Sequence, residues 1–170
     1  LGKKIPSSAQ RDKRDQVISY PIISKIWLII AMVDLVLYYG IFIRFKLLLG
    51  EIFICDRYLG DTYLDFSLNF KHVDLDKMLI WKFLILITPK PNKSFVILIP
   101  VNESIQRSKL KKEPFPDSKK VLEDRLIFYK ESSFFKGASC QLIDGMESLE
   151  SINRLIEFQV FNELNKTNAS

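Results

Sequence analysis

The residues 56–58, Asp-Arg-Tyr, follow directly on the apolar run "EIFIC" at 51–55. An acid, a guanidinium and a phenol at the end of a buried strand have two readings. One is an Asp-Arg ion pair at a strand-to-loop boundary. The other is a charged site at a strand's carboxyl end, where open α/β sheets bind ligands. A guanidinium is always charged and planar, and its fork matches a phosphate better than an ammonium does. The stretch "RSKLKKEPFPDSKK" at 107–120 adds Arg107, Lys109, Lys111, Lys112, Lys119 and Lys120 against Glu113 and Asp117. Such a run is either a solvated helix or a basic flap that closes over an anion. Asp144, in "ASCQLIDG", is a second acid at the end of an apolar run.

Other chemistries have little to stand on. His72 is the only histidine and is given no role, and no Cys/His cluster has metal-ligand spacing. Cys55 and Cys140 sit in strand-like apolar runs, which reads as two buried, reduced thiols in a cytoplasmic protein. The net charge of +5 suits anionic ligands but is no sign of nucleic acid. With 170 residues, 48% hydrophobic and 26% charged, the chain reads as one globular domain.

These residues need elements to hold them. Residues 1–16 read as a polar, basic loop. The apolar stretch Ile26 to Ile43 carries one charge, Asp34, and is long enough either to span a membrane or to form a buried helix. Gly50 stops that helix, and 51–55 follows as a strand buried on both faces. "GDTYLDFSLNF" reads as a helix start with Asp61 or Thr62 as N-cap. A helix from Asp76 ends at Pro89 and Pro91, followed by strands at 94–100 and 139–143. Residues 102–131 are charged and helical in pattern, broken by "EPFPD". A closing helix places Leu149, Ile152, Leu155, Ile156 and Val160 at helical spacing. Helices alternating with apolar strands predict a parallel, layered α/β sheet.

The run of pieces resembles the thymidylate kinase-like family of P-loop nucleoside monophosphate kinases. "LLLGEIFICDRY", with Asp61-Thr62-Tyr63 beyond it, resembles that family's DRY element and the approach to it. "SFVILIPVNESIQRSK", "EDRLIFYKE" and "CQLIDGMESLESINRLI" resemble its next strand, the helix after its lid, and its last strand and closing helix. The resemblance covers roughly residues 20–160. It implies a three-layer α/β/α P-loop kinase-like sheet, here without its first strands. It implies ATP and magnesium as cofactors and a phosphorylated acceptor as partner, with homodimerisation left open. Arg57 would hold the acceptor phosphate, and Asp56 would orient a magnesium-bound water or the phosphate-binding loop. Tyr58, Thr62 and Tyr63 would meet the acceptor. Residues 102–131 would be a lid, with Arg107 near the adenine, Lys109, Lys111 and Lys112 over the donor phosphates, and Asp144 near the same base.

Two departures shape the expectation. No G-x-x-x-x-G-K-[ST] occurs anywhere in the sequence, so the chain reads as the carboxyl-terminal two-thirds of such a kinase, inactive by itself. Leu35, beside Asp34, stands where the family carries an acceptor-binding arginine, which argues against thymidylate itself as the acceptor. The resemblance also favours the buried helix over a membrane span at 26–43. A binding or scaffold domain that kept the fold without catalysis is the second reading, and a membrane-anchored protein the third.

Overall fold

The computed structural model describes residues 20–114 and 116–168. The expected basic loop 1–16 lies outside them. The chain divides after Pro89 into two compact units.

The described part of the first unit is helical wherever it has regular structure. One continuous run comprises α1 (Pro21–Leu35), a π-helical segment (Val36–Ile43) and α2 (Arg44–Leu48). Pro21 opens it at a position where no N–H is missed. Gly50 closes it at φ 82, with Glu51 N–H on the Lys46 carbonyl and Gly50 N–H on Leu47. That is the paired bonding of a left-handed cap, a conformation that glycine adopts without penalty. The buried positions Ser24, Leu28, Met32 and Gly40 recur at multiples of four. A four-residue step drifts off the face of a 3.6-residue helix, and a wider π turn brings the seam back.

This seam packs on α4 (Leu79–Ile87), whose Trp81 and Leu84 are fully buried. The Arg44 guanidinium donates twice to the Ile87 carbonyl, at 3.1 and 2.6 Å, and satisfies that end of α4. Thr88, just before Pro89, is extended and ends the helix, as the sequence predicts. Gly40 faces Ile87 so closely that an added Cβ would lie 2.7 Å from its Cγ1 and nearer still to Cδ1. A β-branched side chain yields poorly. Gly40→Ala is therefore expected to destabilise the first unit by about 1 kcal/mol net, after the helix-propensity gain. A urea melt checks this; an unchanged or raised midpoint would contradict it.

Between these helices α3 (Leu59–Asn69) begins one turn earlier than predicted. Neither Asp61 nor Thr62 is its N-cap. Asp61 sits at the third helical position and its carboxylate accepts the Tyr58 N–H at 3.1 Å. A short 3₁₀ turn, Leu75–Lys77, leads into α4.

The second unit holds the sheet. β1 (Ser94–Leu98) and β2 (Cys140–Asp144) pair in parallel, with Ser94 opposite Cys140 and Leu98 opposite Asp144. The crossover carries α5 (Val101–Leu110), α6 (Lys119–Glu131) and a 3₁₀ turn, Ser133–Phe135. α7 (Leu149–Asn168) closes the chain, burying Ile152 while Leu149 stays 75% exposed.

The three-layer α/β/α P-loop architecture is overturned. Among the described residues the sheet has two strands, and the rest of the regular structure is helix. Residues 51–55 form no strand: the segment is irregular, with Ile52 71% and Ile54 94% exposed. An apolar run becomes a strand only when a neighbour takes its N–H and C=O groups, and the described residues of the first unit offer none. Nor are the remaining strands fully buried: Ile97 and Leu142 are each about half exposed, although their register partners Ile143 and Val96 are buried.

Candidate phosphate-binding residues

Asp56 and Arg57 lie in the bend between the irregular segment and α3. Arg57 adopts φ 72, left-handed backbone that costs a non-glycine residue about 1–2 kcal/mol. Its Nη1 donates to Asp65 Oδ2 at 3.3 Å, with the guanidinium side chain 65% exposed. Asp61 and Asp65 are one turn apart on the same face of α3. The first takes the Tyr58 amide and the second takes Arg57. Of the two readings of Asp56-Arg57-Tyr58, the structure thus gives Arg57 the surface Asp-Arg ion pair, with Asp65 as its partner. Asp56 makes no hydrogen bond or ion pair among the described residues.

The other three residues expected at the acceptor are engaged within the first unit. The Tyr58 hydroxyl donates to the Pro89 carbonyl at 2.8 Å, and its ring meets Tyr39 edge-on with centroids 4.8 Å apart. Thr62 Oγ1 donates back to the Tyr58 carbonyl at 3.2 Å. The Tyr63 hydroxyl donates to Asp76 Oδ2 at 2.9 Å while its ring lies 5.5 Å from Trp81. Burial, followed by the neighbouring Cys55 and Tyr39, pushes the Tyr58 phenol up from its ordinary 10.0 to about 12. Tyr58 is therefore neutral at physiological pH and serves as a bolt, not as an acid or base.

A pH dependence follows. The raised phenol contributes stability that is fully present below pH 10 and is lost as pH rises towards 12, because the unfolded phenol ionises first. Tyr58→Phe should flatten that alkaline slope. Denaturant midpoints at several pH values between these limits measure it, and an equally steep fall in the variant would contradict it.

Sequence reasoning missed the contact of Ser24 with His72. The Ser24 hydroxyl, wholly buried, lies 2.6 Å from His72 Nε2. A hydroxyl without solvent access cannot reach a substrate, so the pair ties the start of α1 to the turn after α3. No local signal links residues 48 positions apart. Cys55 is exposed and Cys140 partly so, in place of two buried thiols.

The second unit brings expected residues together. Parallel strands present their carboxyl ends to one edge, and α5 starts three residues after β1 at that edge. Gly145 N–H donates to the Leu98 carbonyl at 2.7 Å, stitching the strand ends. Asp144 Oδ1 accepts the Met146 N–H at 2.9 Å, which holds the turn after β2. Arg107, on α5, is fixed by Glu103 through Nε at 2.7 Å and reaches the Gly145 carbonyl through Nη2 at 3.3 Å. Arg107 and the Asp144-Gly145 turn, both assigned to the donor base by resemblance, thus share one edge.

The lysines divide differently from the expected group. Lys109 and Lys112 line a cleft between α5 and α6, together with Lys119; Lys111 does not. At 3.6 residues per turn, the α5 residues lining this cleft fall within an arc of about 140°, and Arg107 lies about 60° outside it. No group of three or more His, Cys, Asp or Glu that could hold a metal ion occurs among the described residues.

What fold and site define together is a helix-rich chain whose second unit carries an arginine, Arg107, at the carboxyl edge of a parallel strand pair. Comparison of the chain with family models, with curated proteins and with solved structures gave no match.

Proposed function

We propose that the chain is part of a nucleotide kinase-like phosphotransferase that uses ATP as donor and a nucleoside monophosphate or related phosphorylated compound as acceptor. The observation that carries this reading is the reach of Arg107 to the Gly145 carbonyl at the carboxyl edge of β1 and β2. Support also comes from the ordered series of motif-like pieces between residues 20 and 160. Phosphoryl transfer asks a protein chiefly to position its reactants and to neutralise charge on phosphate oxygens. In this reading the flat face of the Arg107 guanidinium stacks on the base, and the Asp144-Gly145 turn borders it. Among the described residues no group of three or more His, Cys, Asp or Glu could hold a metal ion, so magnesium would be held chiefly by the phosphates of the nucleotide.

Calorimetric titration of the full chain with Mg·ATP at low salt tests the reading. Saturable binding with a dissociation constant at or below about 1 mM, roughly −4 kcal/mol, is expected. No heat of binding at tenfold that concentration would sink it.

A second reading has its own observation. The helix Ile22–Leu48 has 27 residues with a mean hydropathy of 2.3, and only 22% of its most apolar window is buried. Trp27, Ile30, Leu37 and Ile41 are each more than half exposed. That length and composition suffice to cross a bilayer, so we also propose a membrane-anchored form of the same protein. Lys25 and Arg44–Lys46 would flank the apolar stretch. Retention in the membrane fraction through a high-salt and carbonate wash is the expected result, and release into the supernatant would dispose of this reading.

A further inference from the structure

The cleft between α5 and α6 has a volume of about 550 Å³, within the usual range of small-ligand pockets. Its chemistry is two-sided. Lys109, Lys112 and Lys119 supply ammonium groups and Ser104 and Ser108 supply hydroxyls, while Ile105 and Leu122 make an apolar wall. Two carboxylates also line it, and both are occupied. Asp117 bonds Arg125 at 3.0 Å, and Glu113 accepts the Ser108 hydroxyl at 2.6 Å. Lys119 has only a long 3.8 Å pair with Glu123, and Lys109 and Lys112 have no carboxylate partner among the described residues.

Lys112 adds a second observation. It sits at φ 50 just past the end of α5, where Glu113 N–H bonds the Ser108 carbonyl and Lys112 N–H bonds Lys109. This is the capping arrangement that favours glycine. A lysine there gives up backbone stability, and what it gains is an ammonium at the cleft mouth.

We propose that this cleft binds a small phosphomonoester with an apolar portion, its phosphate on Lys109, Lys112 and Lys119 and its apolar part against Ile105 and Leu122. The site lies on a different face of α5 from Arg107, so it does not depend on the phosphotransferase reading. Lysines bind phosphate as point charges, and such a site weakens with added salt.

Titration of the full, ¹⁵N-labelled chain with AMP, and separately with inorganic phosphate, followed by amide shifts, tests the assignment. AMP is expected to give saturable shifts at residues 104–109 and 118–122, with tighter binding than phosphate alone. The pair Lys109→Gln and Lys112→Gln should weaken it about tenfold or more, the effect of roughly one lost charge-assisted contact. Lys112→Gly keeps loss of the ligand distinct from loss of the fold, because it should melt no earlier than the parent chain while binding AMP more weakly. Arg107→Ala should leave the cleft shifts in place. The assignment is overturned by an absence of saturable shifts, by affinity unchanged in the lysine variants, by equal affinity for phosphate and AMP, or by shifts that vanish with Arg107→Ala.

Discussion

Trp81→Ala is expected to cost the first unit about 3–5 kcal/mol, enough to unfold it or leave it marginal. Trp81 is fully buried, and Tyr63 and Phe66 pack on it with centroids 5.5 and 6.4 Å away. It stands on α4, the helix on which α1 packs with Leu28 and Met32 buried, so its removal opens a cavity in the core of the first unit. The indole Nε1 is buried with no hydrogen-bond partner, which adds a second, finer expectation. Trp81→Phe deletes an unpaired donor along with the ring volume, and loss of that desolvation penalty offsets part of the packing loss. Phenylalanine should therefore cost well under half of what alanine costs. Denaturant melts of both variants decide the matter, and equal losses would mean that the indole N–H is not a liability.

Arg107→Ala should weaken Mg·ATP binding by about ten- to a hundredfold, the range for one to two lost hydrogen bonds from a charged group. Its effect on folding should be small. The Glu103 pair is exposed and worth at most about 1 kcal/mol, and the Gly145 carbonyl can turn to water. Paired titration and melting curves separate the two effects. Wild-type affinity in the variant would remove Arg107 from the site, whatever became of the rest of the reading.

Parts of this architecture stand in the sequence because local physics determines them. Proline and glycine end the helices at Thr88 and Gly50, and both runs "SFVIL" and "CQLID" are strands in the expected places. The break at "EPFPD" separates α5 from α6 as the residue types require. What the sequence hides is partnership. "EIFIC" has the composition of a strand, but strand formation is decided by a neighbour that local pattern cannot supply. The same holds for Arg57, whose ion pair with Asp65 depends on where α3 begins, one turn before the expected cap. Lys109, Lys111 and Lys112 read as one basic group along the chain. The end of α5 splits them, because the helix stops at Leu110 and the left-handed turn at Lys112 brings that residue to the cleft with Lys109 while Lys111 stays outside it. The Ser24–His72 contact and the Gly40–Ile87 approach join positions whose proximity only the packed helices create.

The central claim is that the edge formed by Arg107 and the Asp144-Gly145 turn receives the donor nucleotide. Amide shift mapping of the full chain with Mg·ATP tests it most directly, since it reports position as well as affinity. The account predicts saturable shifts centred on Arg107 and on Asp144 to Met146, persisting in the Lys109→Gln, Lys112→Gln chain. A map with no saturable change at these residues, or with changes confined to the first unit, would contradict it.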